Sequence, residues 1–296
     1  MRRIALLPAT LAALSLACGT GGGKVPEECL DRALPILELP PGAGPGDAPG
    51  REAVVTAEQR TDRIGGGAAG TVKILVFDFT PYQGSPAPVD MDGENCWRVV
   101  GVPVIDTPPA ALTVQGARIE GLPGGALDVG TVSGAYASSP QASVLGSEEL
   151  RASWQADTSG AATFPSVDEA VTAAAPLEGL TTSREALGAE MLVEWVPSGA
   201  TWVQIELTTD DPADPTNPAT RNRVICRVVD DGCQAIPAGS LDWLSLNTDT
   251  ASIKVERHEI RRTAPESGTL LTLETIQSEE NEVGITSGLI SGEGAP

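Results

Sequence analysis

The sequence predicts an all-β protein, an antiparallel β-sandwich of immunoglobulin-like or related type, built as one sandwich or as two packed β-domains. Three observations carry this expectation. The segments MLVEWVP, TWVQIELTT, RNRVICRVV, SIKVERHEI and TLLTLETI alternate apolar and polar residues with the two-residue period of half-buried strands. Asp230-Asp231-Gly232 and Pro197-Ser198-Gly199 supply turns between such segments. The composition, with 33 Gly, 24 Pro and only 3% aromatic residues, suits many short strands and turns.

The elements follow in order. Pro26 to Leu39 reads as a short helix, and Pro40 to Gly50 (PPGAGPGDAPG) as a linker too rich in breakers for regular structure. Val54 to Ile64 is polar and shows no clear period. Thr71 to Phe79 (TVKILVFDF) is the first clear strand: Val72, Ile74 and Val76 point one way, while Lys73, Leu75, Phe77 and Phe79 point the other. Both faces are largely apolar, so a central, well-covered strand is expected. Further strands are expected at Trp97 to Val104, Ala111 to Ile119, Gly130 to Tyr136 and Glu149 to Trp154, with Val167 to Ala175 either a helical turn or a strand. The chain therefore divides into an N-terminal β region (51–180), a C-terminal β-sandwich region (181–277) and a polar, Gly-rich tail (278–296). The tail and the N-terminal tether are expected to be disordered.

Charge narrows the function classes. The chain carries 19 basic and 40 acidic residues, a net charge of −21. Such a field repels nucleic acid and anionic head groups, which argues against nucleic-acid binding, and it attracts divalent cations.

The first residues read MRRIALLPATLAALSLAC. Arg2 and Arg3 precede an apolar run from Ile4 to Ala17 that falls short of the ~20 residues a membrane span needs. A charged start, a short apolar core and small residues at its end form a secretory signal over residues 1–17. Its removal takes away two arginines and no acid, leaving a net charge of about −23. Ser15-Leu16-Ala17-Cys18 resembles the lipobox of bacterial lipoproteins, with Ser15 at the place where that family favours Leu. The resemblance implies cleavage before Cys18, a diacylglycerol on its thiol and an acylated (palmitate-type) amino terminus. Several chains at ~0.8 kcal/mol per buried methylene make a stable anchor. Gly19, rather than Asp, follows Cys18, which by the same resemblance implies the outer membrane. Residues 18–50 would then be the lipidated cysteine, its flexible tether and the linker. A plain secretory signal ending near a cysteine is the alternative.

Four cysteines remain: Cys29, Cys96, Cys226 and Cys233. An even number in an exported chain reads as two disulfides, with three pairings open. Proximity along the chain favours Cys29–Cys96 with Cys226–Cys233. The second bridge sits uneasily with CRVVDDGCQAIP read as a hairpin, because Cys226 does not face Cys233 in that register. A zinc site is the alternative, with no CxxC and a distant histidine against it.

Few residues carry chemistry. The sole histidine, His258, is expected on a solvated strand face with Lys254 and Glu256. No G-x-S-x-G elbow accompanies it. Of three lysines, Lys24 lies in the tether and Lys73 in a strand, so a Ser-Lys dyad is poorly supported. Gly65, Gly67 and Gly70 match G-x-G-x-x-G, but they precede a strand instead of following one, so a flexible loop is the reading preferred to a dinucleotide site. Asp78, between two aromatics, reads as an outward or strand-end carboxylate. Two acidic loops offer alternating oxygens for calcium: Asp90 and Asp92 in the first, and Asp210, Asp211 and Asp214 in the second. Neither completes an EF-hand, and solvated turns explain both. Trp97, Trp154, Trp195, Trp202 and Trp243 either stack sugars or fill the core, and packing is expected for most.

The runs LVEWVPSGATWVQIEL, VICRVVDDGCQAIPAGSLDWL and IKVERHEIR are similar to a family of uncharacterised β-sandwich lipoproteins common in myxobacterial genomes. The resemblance covers about the last two-thirds of the chain and implies a sandwich fold, with no catalytic residue to transfer. The expectation is a lipid-anchored cell-envelope protein that acts as a non-catalytic binding or structural module. Its partners would be the membrane, through the anchor, and another envelope protein or a polysaccharide. No cofactor is expected apart from calcium. The alternatives are an envelope hydrolase using carboxylates and a calcium-assisted adhesin.

Overall fold

The computed structural model describes residues 29, 50–62, 67–78, 89–91, 95–100, 110–146, 149–156, 163–186, 188–209, 221–245 and 249–285. They form three sheets and one helix, an all-β architecture. The largest sheet takes strands from both halves of the chain: β1 (Arg51–Asp62), β2 (Gly67–Asp78), β3 (Val89–Met91), β4 (Cys96–Val100), β7 (Ala135–Ala137), β12 (Trp202–Thr209), β13 (Asn222–Val228), β15 (Thr250–Thr263) and β16 (Thr269–Gly284). Its nine strands run in the order β3-β4-β13-β12-β15-β16-β1-β2-β7. The second sheet joins β5 (Thr113–Glu120), β6 (Leu127–Ser133), β8 (Glu149–Ala156) and β9 (Val167–Thr172) in the order β6-β5-β8-β9. The third joins β10 (Thr181–Arg184), β11 (Met191–Glu194) and β14 (Cys233–Ile236) in the order β10-β11-β14, and α1 (Ala238–Ser245) follows β14.

The expected division at residue 180 does not appear in the large sheet. The longest strand, β16, pairs in parallel with β1 and antiparallel with β15, so the two halves share a spine. The parallel pair is a departure from the expected all-antiparallel pattern. The strand also runs through Ser278–Gly284, where a tail was expected. Its late residues Ser278, Glu279 and Asn281 are buried, which polar composition alone conceals.

Register places both small sheets on one face of the large one. Ala53 lies beside Leu271 and Ala251 beside Val283, two β16 positions of the same parity. Around Ala53, Val55, Val72, Ile74, Val76, Leu271 and Leu273 the four-stranded sheet closes a core with Val114, Ile119, Leu150, Trp154 and Phe164. Around Val203, Ile205, Leu207, Ile253, Val255 and Val283 the three-stranded sheet and α1 close another, with Met191, Val193, Ile236, Leu241 and Leu244. Period-two alternation on every long strand is what sorts these residues to one face. For β2 the expectation of two covered faces is corrected: Val72, Ile74 and Val76 are buried, but Lys73 is exposed and Leu75 is 41% exposed.

Between the cores the shared face turns polar. Thr275 donates its hydroxyl to the Thr172 carbonyl and accepts from the Ala174 amide, both at 2.9 Å. Arg257, 1% exposed, is held beside Asp230, with Nε 3.3 Å from Oδ2, and it donates to the carbonyls of Ala175, Pro176 and Val196. Asp230 accepts in addition from Trp195 Nε1 (2.7 Å), from the Ser198 amide and hydroxyl, and from the Ala200 amide. Burial pushes the Asp230 carboxyl up, yet these donors outweigh it and hold the group below its ordinary range.

The turn at Asp230–Gly232 is not a hairpin turn. It carries the chain from β13 in the large sheet to β14 in the small one. Gly232, at φ 108°, permits the sharp crossing beside Pro197 and the Trp195 carbonyl. That crossing overturns the pairing favoured by proximity. Cys96 and Cys226 face each other across β4 and β13 and are bonded, while Cys233, carried to the other sheet, is bonded to Cys29. The glycines expected in a flexible loop are also reassigned: Gly67 and Gly70 belong to β2, and a Cβ at Gly70 would lie 2.6 Å from Val144 Cγ2.

Arg257→Met would leave the Asp230 carboxylate buried without its counter-charge, and the expected loss in denaturant unfolding is about 3–5 kcal/mol. A loss under ~1 kcal/mol would show that the pair does not hold the layers together. Non-reducing peptide mapping should recover the Cys29 peptide joined to that of Cys233 and the Cys96 peptide joined to that of Cys226. Recovery of a Cys226–Cys233 peptide would refute the crossing.

Candidate functional site: the outer face of the large sheet

The opposite face of the large sheet carries the residues that alternate with the core. On β15 these are Ser252, Lys254, Glu256, His258, Ile260 and Arg262. The sequence places this face in solvent, and the structure corrects that for its centre. His258 is 6% and Glu256 7% exposed. Side chains from β12 and β16, with Lys254 of β15 itself, lie against them and supply the partners that burial requires.

The cluster is built by register. Trp202 lies opposite His258 on β15, and Gln204 opposite both Glu256 and, on its other side, Arg227. His258 Nδ1 meets Glu274 of β16 at 2.9 Å, and Nε2 faces Glu256 at 3.8 Å, an ion-pair distance too long for a hydrogen bond. Lys254 Nζ bridges Glu256 and, at 3.1 Å, Glu58 of β1. Gln204 donates Nε2 to Glu256 at 2.8 Å and accepts from Arg227 Nε at 2.9 Å. The Trp202 ring stands edge-on to His258, centroids 5.6 Å apart.

Electrostatics follow from this geometry. Burial disfavours charge on His258, but Glu256 and Glu274 outweigh it and raise its pKa above the ordinary value. Burial likewise works against Glu256, and His258 and Lys254 overcome it and hold the carboxyl at about 2. Lys254 is raised by Glu256 and Glu58 against the same desolvation. The histidine thus lies buried between two carboxylates that favour its charged form. In that form neither ring nitrogen offers a lone pair to activate a nucleophile.

Beside this cluster lies an aromatic frame. The Arg227 guanidinium sits over the ring of Trp97 at 5.5 Å and over that of Trp202 at 5.3 Å. Because β4 and β12 flank β13, the two indoles stand on opposite sides of it. Trp97 and Trp202 are half-buried here, whereas Trp154 and Trp195 are buried and Trp243 packs on the second core. Sequence reading named both framing tryptophans but missed Arg227. The alternation of RNRVICRVV gives its face, while the partners come from strands distant in sequence.

The other sequence candidates do not join this site. Cys18, Asp92, Asp210, Asp211 and Asp214 lie outside the described residues. Asp90 lies in β3, its backbone opposite Arg98. Among the described residues no three His, Cys, Asp or Glu side chains are grouped to hold a metal ion. Asp78 ends β2, exposed, its amide donating to the Ala110 carbonyl at 2.8 Å. A separate cavity of about 320 Å³ lies between β9 and β15, lined in part by Glu149, Glu259 and Arg261. Burial raises the Glu259 carboxyl above its ordinary value.

No protein-family model matches the chain, and a comparison with curated proteins finds no match.

The cluster sets a pH dependence. A raised histidine stabilises fully below its unfolded pKa of ~6.5, and that contribution is lost as pH rises through the higher folded value. Glu256 contributes above its ordinary value of 4.5 and loses that contribution as pH falls toward about 2. Stability from the cluster should therefore be greatest between ~4.5 and ~6.5. The unfolding free energy separating the unmodified protein from His258→Gln should shrink as pH rises above ~6.5. A difference that stays constant to high pH would refute the charged-histidine assignment.

Proposed function

We propose that this chain is a lipid-anchored cell-envelope protein, held to the membrane through Cys18, that works as a non-catalytic binding module. Its recognition surface is the outer face of the large sheet around Trp97, Arg227 and Trp202. The observation that carries the reading is the Arg227 guanidinium held between two indoles with no acidic partner among the described residues. A structural cation of this kind is ordinarily neutralised, whereas one fixed in place and left open is arranged for a ligand.

Further observations support the same reading. The MRRIALLPATLAALSLAC leader and its lipobox direct the chain to export. Two disulfides suit an oxidising compartment. The carboxylates on either side of His258 leave it without the role of a general base. Gly19 after Cys18 favours the outer membrane as the place of display.

The anchor is tested by Cys18→Ser, which should move the protein from the membrane fraction to the soluble periplasmic or secreted fraction. In the unmodified protein the N-terminal peptide should begin at Cys18 and carry acyl mass. An unacylated N-terminal peptide, or a Cys18→Ser protein that stays with membranes, would refute it.

A further inference from the structure

Among the described residues, most cations near the centre of the outer face are paired with an acid, and Arg227 is not. Arg60 pairs with Glu280, Arg223 with Glu206, Lys254 with Glu58 and Glu256, and His258 with Glu256 and Glu274. Arg227 has only the neutral Gln204 oxygen on Nε, and its two Nη atoms have no partner among the described residues. The group is also fixed. Indoles cover it from β4 and β12, and Gln204 is itself tied to Glu256. What remains open is the planar edge of the fork, whose two N–H vectors match the two oxygens of a carboxylate.

The surroundings select what carries that carboxylate. Among the described residues the exposed large hydrophobics are Leu75 and Val196, and neither lies in this strip. Among the described residues this strip thus has no exposed large aliphatic side chain beyond the half-buried Ile225 to form the broad apolar centre of a protein interface. It offers indoles and, in Gln204, Glu206 and Arg223, polar side chains suited to hydroxyl groups. The chain's net charge of −21 repels a dense polyanion. A sugar chain with carboxylates spaced among neutral residues meets each condition.

We propose that Arg227, framed by Trp97 and Trp202, binds the carboxylate of a uronic acid residue, making this face a subsite for an acidic polysaccharide. The assignment rests on the binding-module reading and names its ligand class.

The test uses the full chain in detergent, with tryptophan fluorescence and calorimetry as readouts. The probes are tetrasaccharides alternating glucuronate, galacturonate or mannuronate with a neutral hexose, their carboxyl-reduced counterparts, and a tetrapeptide with a free C-terminal carboxylate. At least one acidic saccharide should bind and perturb the indole emission, and its reduced form should bind about 10- to 100-fold more weakly. Arg227→Gln should abolish that preference. Arg227→Lys should not restore it, because an ammonium neither stacks nor forms the bidentate fork. Arg118→Gln, on the four-stranded sheet, should bind like the unmodified protein. Should Arg227→Gln fail to fold, the acidic and reduced saccharides decide the matter on the unmodified protein.

Equal binding of acidic and reduced saccharides, or an unchanged preference in folded Arg227→Gln, would overturn the Arg227 assignment while leaving the binding module standing. Equally tight binding of the tetrapeptide would overturn the sugar assignment. If no saccharide binds, the inference fails, and the Cys18 experiment stands or falls separately.

Discussion

The buried pair of Arg257 and Asp230 is the contact on which the layers depend. Arg257 rises from the middle of the large sheet, while Asp230 ends the β13 side of the crossing to the small sheet. Between them they collect the carbonyls of Ala175, Pro176 and Val196, the amides of Ser198 and Ala200, and the Trp195 indole. These groups come from the link between the two small sheets and from the loop that leads from β11 into β12. Each is a backbone or ring group that burial would otherwise strip of water at a cost of about 1–3 kcal/mol. One ion pair thus satisfies the polar groups of two segments. Apolar residues of similar volume would leave those segments without partners, even where the pair itself could be replaced.

The same position explains why the molecule is not two independent sandwiches. β16 gives Leu271 and Leu273 to one core and Val283 to the other, and between them Thr275, Glu279 and Asn281 are buried polar residues. Thr275 ties the end of β9 to the large sheet, and Arg257 ties the segment just after it. Polar groups at a seam specify how the layers sit, because their geometry tolerates less displacement than aliphatic packing. The disulfides act on the same arrangement. Cys96–Cys226 bridges neighbouring strands of the large sheet, and Cys29–Cys233 bonds a residue far upstream to the three-stranded sheet, closing a loop of 204 residues in sequence.

Strand identity was legible in the sequence wherever one face is apolar. TVKILVFD, WVQIELTT and SIKVERHEI lie in strands, and in the first two alternation sorts buried from unburied residues. Partnership was not legible. Asp231-Gly232 carries ordinary hairpin chemistry, yet the chain changes sheet there, and proximity along the chain gave the wrong disulfides. REAVVTAEQRTD gives β1, although its apolar face is made of Ala and Val interleaved with charges, a weak signal for a strand paired on both sides. The eight-residue helix after Pro237 has no counterpart in the sequence reading, since Leu241 and Leu244 make a single turn's face. At the candidate site, Trp97 and Trp202 were visible as residues but not as neighbours. The burial of His258 depends on Glu274 and Trp202 from other strands, which no spacing along β15 encodes.

Adjacent residues of β15 build the seam and the outer face. Arg257 points into the seam, while Glu256 and His258 point to the outer face. The side-chain period of a strand is two, so a one-residue slip of β15 would carry the guanidinium out and the carboxylate and imidazole into the seam. Either exchange buries a charge with no partner, and both would occur together. The register that lets Asp230 meet Arg257 is therefore the register that sets Trp202 opposite His258 and Gln204 between Glu256 and Arg227. Because Gln204 is the only hydrogen-bond partner of the Arg227 guanidinium among the described residues, the direction of that group is fixed two strands away from the ion pair that holds the fold. The outer face is consequently ordered for the same reason that the layers stay together, and the ligand proposed for Arg227 would meet a group already in place.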